Sequence, residues 1–305
     1  MRKDGLYPSL GEGRIHYCLW EPEETPKAVV QIIHGMAETA ERYAPFAEYL
    51  NSLGFLVAAE DHMGHGLSRF SVPCYFKGGW MTVAKDSLGL TEILQKQYPS
   101  LPFAFLGHSM GSFLLRTILC GFPQVKCDAA VIMGTGWQSA FHLRAFKVVS
   151  DRVCRKTGEK NPSPLLDKLV TGSYNDRVEH RRTEFDWLCR DPRVVDAYIA
   201  DPFCGNPITA GMYRDISRGL CFIENKENLL AMKKDLPVLF LSGTMDPVGN
   251  YEKGVRKTAL AFKEAGMEDV EMKFYPLCRH EILNEINKQE VWEDLSRWLE
   301  KKLLP

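Results

Sequence analysis

Phe103-Ala104-Phe105-Leu106-Gly107-His108-Ser109-Met110-Gly111-Ser112 is the stretch on which the reading of this chain turns. Its first four residues are continuously apolar, as in a strand buried on both faces. The apolar run that follows reads as a helix over 110–120, stopped by Gly121 with Pro123 just beyond. Between the two lies G-x-S-x-G, the pattern of a serine on a sharp strand-to-helix turn. So tight a turn brings positions 107 and 111 against neighbouring backbone, which accounts for glycine at both. It also lifts the Ser109 hydroxyl above the sheet, at the positive end of the helix.

Working outward, Ala28–Ile33, Phe55–Ala59 and Ala129–Met133 are short apolar runs of the same kind, separated by helix-length segments at about 40–53 and 83–98. Strand, helix, strand in repetition predicts an α/β fold with a mostly parallel central sheet and right-handed crossovers. The opening stretch to Trp20 reads as an antiparallel hairpin at the sheet edge. After Gly136 the rhythm stops. Charged helical pieces follow, punctuated by Asn161-Pro162-Ser163-Pro164 and by Asp201–Pro207. It resumes with Pro237–Leu241, a helix at about 250–265, the alternating strand Val270–Tyr275 and a closing helix through Trp292, Leu295, Trp298 and Leu299. The simplest organisation is a core formed by residues 1–136 and 237–305, interrupted by a helical cap at 137–236.

Composition narrows the function classes. The 305 residues carry 38 basic and 39 acidic side chains, so no global field draws a polyanion, and nucleic acid is not the expected partner. No apolar run approaches the ~20 residues of a membrane-spanning helix, and Met1–Gly5 has no apolar stretch behind it that would make a cleaved leader. Nine cysteines, an odd number without CxxC spacing, fit a reduced, cytoplasmic setting rather than disulfides or structural zinc.

A serine hydroxyl needs a base, and the base needs an orienting acid. Asp246, just past the 237–241 strand, and His280, just past the 270–275 strand, follow Ser109 in the order serine, acid, histidine. All three are expected on loops at one edge of the sheet. The amides of Met36 and Met110 are the candidate oxyanion donors, Met36 because His34-Gly35-Met36-Ala37-Glu38 follows the first parallel strand. His34 falls at the wrong place in the order to be a base and reads as a loop anchor. His62 and His65, in Asp61–Ser68, lie three apart in a Gly-rich loop without an additional ligand, so a loop-shaping role is expected and no metal. No cofactor is called for.

With these motifs and Arg279-His280-Glu281-Ile282-Leu283-Asn284-Glu285, the chain resembles the α/β-hydrolase group that contains monoacylglycerol lipases, bacterial lysophospholipases and serine aminopeptidase-like hydrolases. Thr183–Asp191 is similar to the cap of the lysophospholipase-like members. The chain departs from the family pattern at Ala37 and Thr39, where a second glycine and a histidine are usual, and at Met63, where arginine is usual. The resemblance implies a serine esterase acting on a small-molecule or lipid ester through an acyl-enzyme. A serine aminopeptidase or amidase, anchoring a free amine through Glu38 or a cap carboxylate, and a non-lipid small-ester esterase stay open as alternatives. Trp137, Phe141, Leu143, Phe146, Phe203, Tyr213 and Phe222 are candidates for lining an acyl pocket, although most such residues are expected to pack the cap onto the core. Transient contact of the cap with a membrane surface is left open, and no oligomeric state is assigned.

Overall fold

The computed structural model describes residues 1–304. Eight strands form one sheet: β1 (Arg2–Pro8), β2 (Arg14–Trp20), β3 (Ala28–Ile33), β4 (Phe55–Glu60), β5 (Phe103–His108), β6 (Ala129–Met133), β7 (Val238–Gly243) and β8 (Val270–Tyr275). Their spatial order is β1-β2-β4-β3-β5-β6-β7-β8, antiparallel from β1 to β4 and parallel from there on. The chain steps from β3 outward to β4, then returns to lay β5 on the other side of β3. That reversal opens a crevice at the carboxyl ends of β3 and β5, where α/β sheets hold their ligands.

The interior strands β3, β4, β5, β6 and β7 are buried on both faces, which is why they lack alternation. In β3, Val29 and Ile33 join one apolar cluster while Ala28, Val30 and Ile32 join the other. On one face, α2 (Trp80–Gln97) and α3 (Met110–Gly121) pack with α9 (Lys253–Glu264), whose Val255, Ala259 and Phe262 are fully buried. The other face is covered by α1 (Ala44–Ser52) and α10 (Lys288–Leu303), through Phe46, Leu50, Leu295 and Leu299. Among the described residues no helix is long and apolar enough to cross a membrane.

Element boundaries moved where the backbone does something the apolar pattern does not report. The segment expected as one helix over 40–53 is a 3-10 turn at Ala40–Tyr43 followed by α1, which carries Pro45 in its first turn. Proline has no N–H to donate, and an early helix position is where that costs least. The helix expected from 250 starts at Lys253, because Asn250, Tyr251 and Glu252 all have positive φ (47°, 53° and 76°). α2 starts three residues earlier than its expected 83, after Gly79 at φ 82°.

Between β6 and β7 lie α4 (Ala140–Thr157), α5 (Pro164–Thr171), α6 (Pro192–Ala200), α7 (Ala210–Ile223) and α8 (Lys226–Leu230). Ser139, Ser163, Asp191, Thr209 and Asn225 cap the starts of these five helices by accepting hydrogen bonds from amides of the first turn. α7 packs on α4 and also on α2 and α3 of the core.

Candidate active site

Ser109 stands at the end of β5 with φ +52°, in the left-handed region that residues with a Cβ rarely occupy. The flanking glycines make this turn physically achievable. A Cβ at 107 would lie 2.6 Å from the Gly111 carbonyl oxygen, and one at 111 only 1.9 Å from that of Ile33. Helix α3 begins at the next residue, so its partial positive charge is directed at Ser109.

The loops after β7 and β8 bring Asp246 and His280 together: Nδ1 of His280 lies 2.9 Å from Oδ1 of Asp246. The carboxylate is further fixed by the Val248 amide at 2.9 Å and the Ser242 hydroxyl at 3.3 Å. A carboxylate can only accept, so Nδ1 carries the proton and Nε2 of a neutral ring is left as an acceptor. That Nε2 is buried and has no hydrogen-bond partner among the described residues. His280 and Ser109 line the same cavity. Room for the ring depends on Gly134, after β6, where a Cβ would come within 2.9 Å of His280 Cε1. The sequence reading passed over Gly134, because nothing in the chain links it to His280 before the fold is known.

Gly35 lies against the turn that carries Ser109, 3.1 Å from its ideal Cβ position to Ser109 Cβ. Among the described residues neither the Met36 nor the Met110 amide meets a protein acceptor, and Met36 faces the cavity. Ala37 has φ +53°, the left-handed region that favours glycine. Its carbonyl accepts from the Gly205 amide at 2.9 Å and the Tyr198 hydroxyl at 3.0 Å, tying this loop to the inserted segment.

His34 and His62 hold these loops. His34 Nδ1 donates to the Gly35 carbonyl at 2.7 Å, its Nε2 accepts from the His62 amide at 3.0 Å, and His62 Nε2 donates to the His34 carbonyl at 2.9 Å. Burial pushes the His34 pKa down to about 3 and holds His62 well below the ordinary imidazole value, so both rings are neutral. Asp61 accepts from the Ala40 and Leu67 amides at 2.9 and 3.0 Å, which shapes the Gly-rich loop.

A buried charge network lies beneath the site. Glu38 accepts from the Gly35 amide (2.5 Å), Tyr43 hydroxyl (2.9 Å), His108 Nδ1 (3.1 Å) and Arg42 (2.8 Å). Arg42 also holds Glu281, beside the candidate base, at 2.6 and 2.7 Å. Burial opposes every one of these charges, and their mutual contacts override it. Glu38 is held well below the usual carboxylate range by His108 and Arg42, while His108 is carried above the ordinary imidazole value by Glu38. Because its oxygens are occupied, Glu38 is not free to anchor an amine. Arg42 and Tyr43 escaped the sequence reading because they form part of an ordinary-looking helix start.

The cavity has a volume of about 310 Å³. Its floor is Gly35–Glu38, His108, Ser109 and His280, and its walls are Pro162–Pro164, Asp167, Thr171, Glu184, Phe185, Trp187, Leu188, Tyr198, Gly205–Ile208 and Glu281. None of the seven apolar residues singled out from the sequence is among them. Phe141 is 78% exposed on α4, Leu143 and Tyr213 are buried, and Trp137, Phe146 and Phe222 pack against the core cluster. Phe203 lies under the Arg69 guanidinium at 5.0 Å. Trp137 and Phe203 fall in loops, and the other five lie on α4 and α7 with faces turned to the core or to solvent. The walls come instead from α5, from Tyr198 of α6 and from the irregular segments at 184–188 and 205–208, which apolar periodicity does not mark.

A mostly parallel eight-stranded sheet flanked by helices, with a strained serine between β5 and α3, is the α/β-hydrolase fold. Within that fold, residues 24–287 match the family model described as serine aminopeptidase, S33, and the chain belongs to that family. It is 29% identical over 306 residues to a monoacylglycerol lipase of Mycolicibacterium smegmatis, spanning 98% of this chain and 97% of the relative. It is 26% identical over 300 residues to the monoglyceride lipase of Homo sapiens, spanning 95% and 88%. The crystal structure of a thermostable carboxyl esterase from Bacillus coagulans in complex with glycerol superposes with a TM-score of 0.89 at 26% identity, covering 99% of both chains.

Proposed function

We propose that this protein is a serine hydrolase that cleaves carboxylic esters of apolar acyl groups, as its monoacylglycerol lipase relatives are named for doing, with residues 137–236 acting as a cap over the site. The observation that carries the reading is the bare, buried Nε2 of His280, held from its other side by Asp246 in the cavity that Ser109 lines.

The mechanism has two halves. Nε2 takes the Ser109 proton as Oγ attacks the ester carbonyl, and the Met36 and Met110 amides hold the negative charge that develops on the carbonyl oxygen. Asp246 keeps the proton on Nδ1 and stabilises the imidazolium. The ester C–O bond breaks, the alcohol leaves with the proton from Nε2, and Ser109 carries the acyl group. Water then gives one proton to Nε2 and attacks the acyl-enzyme, releasing the acid and returning the proton to Ser109. Pro162, Pro164, Leu188, Pro207 and Ile208 supply apolar wall for an acyl chain.

The test pairs covalent labelling by a fluorophosphonate probe with monoacylglycerol hydrolysis. The wild type should label and turn over, and Ser109→Ala should lose both, with the rate falling by several orders of magnitude. Wild-type turnover in Ser109→Ala would overturn the proposal.

A further inference from the structure

From the core, the His280 ring is held by Asp246 at Nδ1, by the close approach of Gly134 to Cε1 and by the His108 ring, with centroids 4.7 Å apart. The segment inserted between β6 and β7 adds Trp187, whose ring packs on the imidazole at 5.0 Å with 41° between the planes. Both separations lie in the range that aromatic pairs favour. The χ2 torsion of a histidine is soft, so one hydrogen bond at Nδ1 leaves the plane of the ring loosely set. Packing has to fix that plane, because among the described residues Nε2 meets no partner.

Trp187 is itself held with unusual completeness. The carbonyls of four consecutive residues, 186 to 189, all accept from three consecutive residues around the base. Arg279 Nη1 donates to Asp186 at 2.6 Å and to Cys189 at 2.9 Å. The His280 amide donates to Trp187 at 3.4 Å, and the Glu281 amide to Leu188 at 2.8 Å. Alongside, the fully buried Glu285 carboxylate accepts from Arg190 Nε and from the Arg279 amide, both at 2.8 Å. The Asp186 side chain fixes the turn before Trp187 by accepting from the Thr183 hydroxyl at 2.6 Å and the Thr183 amide at 3.1 Å. Leu188 and Cys189 are buried in a small apolar cluster with Val195 and Tyr198. Thr183–Asp191 and the residues flanking His280 therefore form one clasp, with the Trp187 ring laid on the imidazole at its centre.

We infer that Trp187 is a positioning residue of the base, and that Arg279 acts through it by holding its backbone. The indole sets the plane of the His280 ring so that Nε2 is aimed at the Ser109 hydroxyl. The inserted segment then completes the catalytic geometry as well as covering it. This inference rests on the hydrolase reading above, since it takes His280 as the base.

The test measures kcat and KM for p-nitrophenyl butyrate and p-nitrophenyl octanoate on the full chain. Trp187→Ala should lower kcat by about 100-fold, the cost of misplacing a reacting group by about 1 Å, and by the same factor for both esters. A residue serving only as pocket wall would instead raise KM, by a factor that changes with chain length. Trp187→Phe, which keeps a ring against the imidazole, should recover most of the lost rate. Arg279→Met should cost about tenfold in kcat, and that cost should vanish in the Trp187→Ala background, because both changes remove the same restraint. Arg279→Met also reads the restraint without opening the apolar cluster. In proton NMR the low-field resonance of the His280 Nδ1 proton, identified by its absence in His280→Ala, should be sharp in the wild type and broadened in Arg279→Met. An unchanged kcat with raised KM in Trp187→Ala, additive costs in the double variant, or an Nδ1 proton as sharp in Arg279→Met as in the wild type would each overturn the inference. Failure of the hydrolase reading would look different: no turnover of either ester and no fluorophosphonate labelling of Ser109 in the wild type.

Discussion

Arg42 and Glu281 meet as a two-pronged ion pair, Nη1 to Oε1 at 2.6 Å and Nη2 to Oε2 at 2.7 Å, 239 residues apart in the chain. Glu281 follows His280 directly, and Arg42 also holds Glu38 of the loop that carries Met36. One guanidinium therefore ties the loop of the candidate base to the loop of the candidate oxyanion donor. Its outer face lies over Tyr198 of α6 at 4.9 Å.

Replacing this arginine should be costly. Arg42→Met leaves two buried carboxylates without their shared cation, and breaking a buried pair from one side typically costs about 3–5 kcal/mol. Denaturant unfolding of the variant measures the loss. A change below about 1 kcal/mol, the scale of a surface ion pair, would contradict a structural role for the network.

Ala37 is the converse case. It occupies φ +53°, in the left-handed region that favours glycine, and a Cβ in that region costs roughly 1–2 kcal/mol. Glycine removes the strain but adds freedom to the unfolded chain, so Ala37→Gly should stabilise the fold by about 0.5–1 kcal/mol. A denaturation midpoint that falls in this variant would show that the loop does not bear the strain.

Glu60 gives the fold a specific pH dependence. Burial raises its pKa from 4.5 to about 7, against hydrogen bonds such as that from Gln31 Nε2 at 3.3 Å. The folded state keeps this proton while the unfolded chain releases it, so the associated stability is complete below pH 4.5 and is lost as pH rises to about 7. The size of the effect is about 3 kcal/mol, and Glu60→Gln should remove it. Unfolding free energies across that window should diverge between variant and wild type in favour of the variant at the higher pH. Parallel profiles would sink the assignment.

Asp246→Asn separates orientation from binding. The amide can donate to Nδ1 and so favours the wrong imidazole tautomer, leaving shape nearly unchanged. On the proposed mechanism kcat should drop by roughly three to four orders of magnitude with little change in KM. A variant with near-wild-type kcat would remove Asp246 from the mechanism.

The sequence by itself determined the sheet, because a strand buried on both faces must be apolar along nearly its whole length, as β6 is throughout, β3 apart from Gln31 and β5 up to its closing His108. It also determined the turn that carries Ser109: only glycine fits at 107 and 111, where a Cβ would meet backbone at 2.6 and 1.9 Å, so the pattern is written in residue types. The order of Ser109, Asp246 and His280 was legible for the same local reason, each following a recognisable strand. The lining of the cavity was decided by tertiary structure alone. Trp187 meets His280 and Arg42 meets Glu281 only after β8 and the inserted segment have taken their places, and no local periodicity encodes a contact between irregular segments. Aromatic residues such as Phe141 and Tyr213 could not be sorted into wall, core or surface from the chain, since one side chain serves all three roles and burial depends on what packs opposite it.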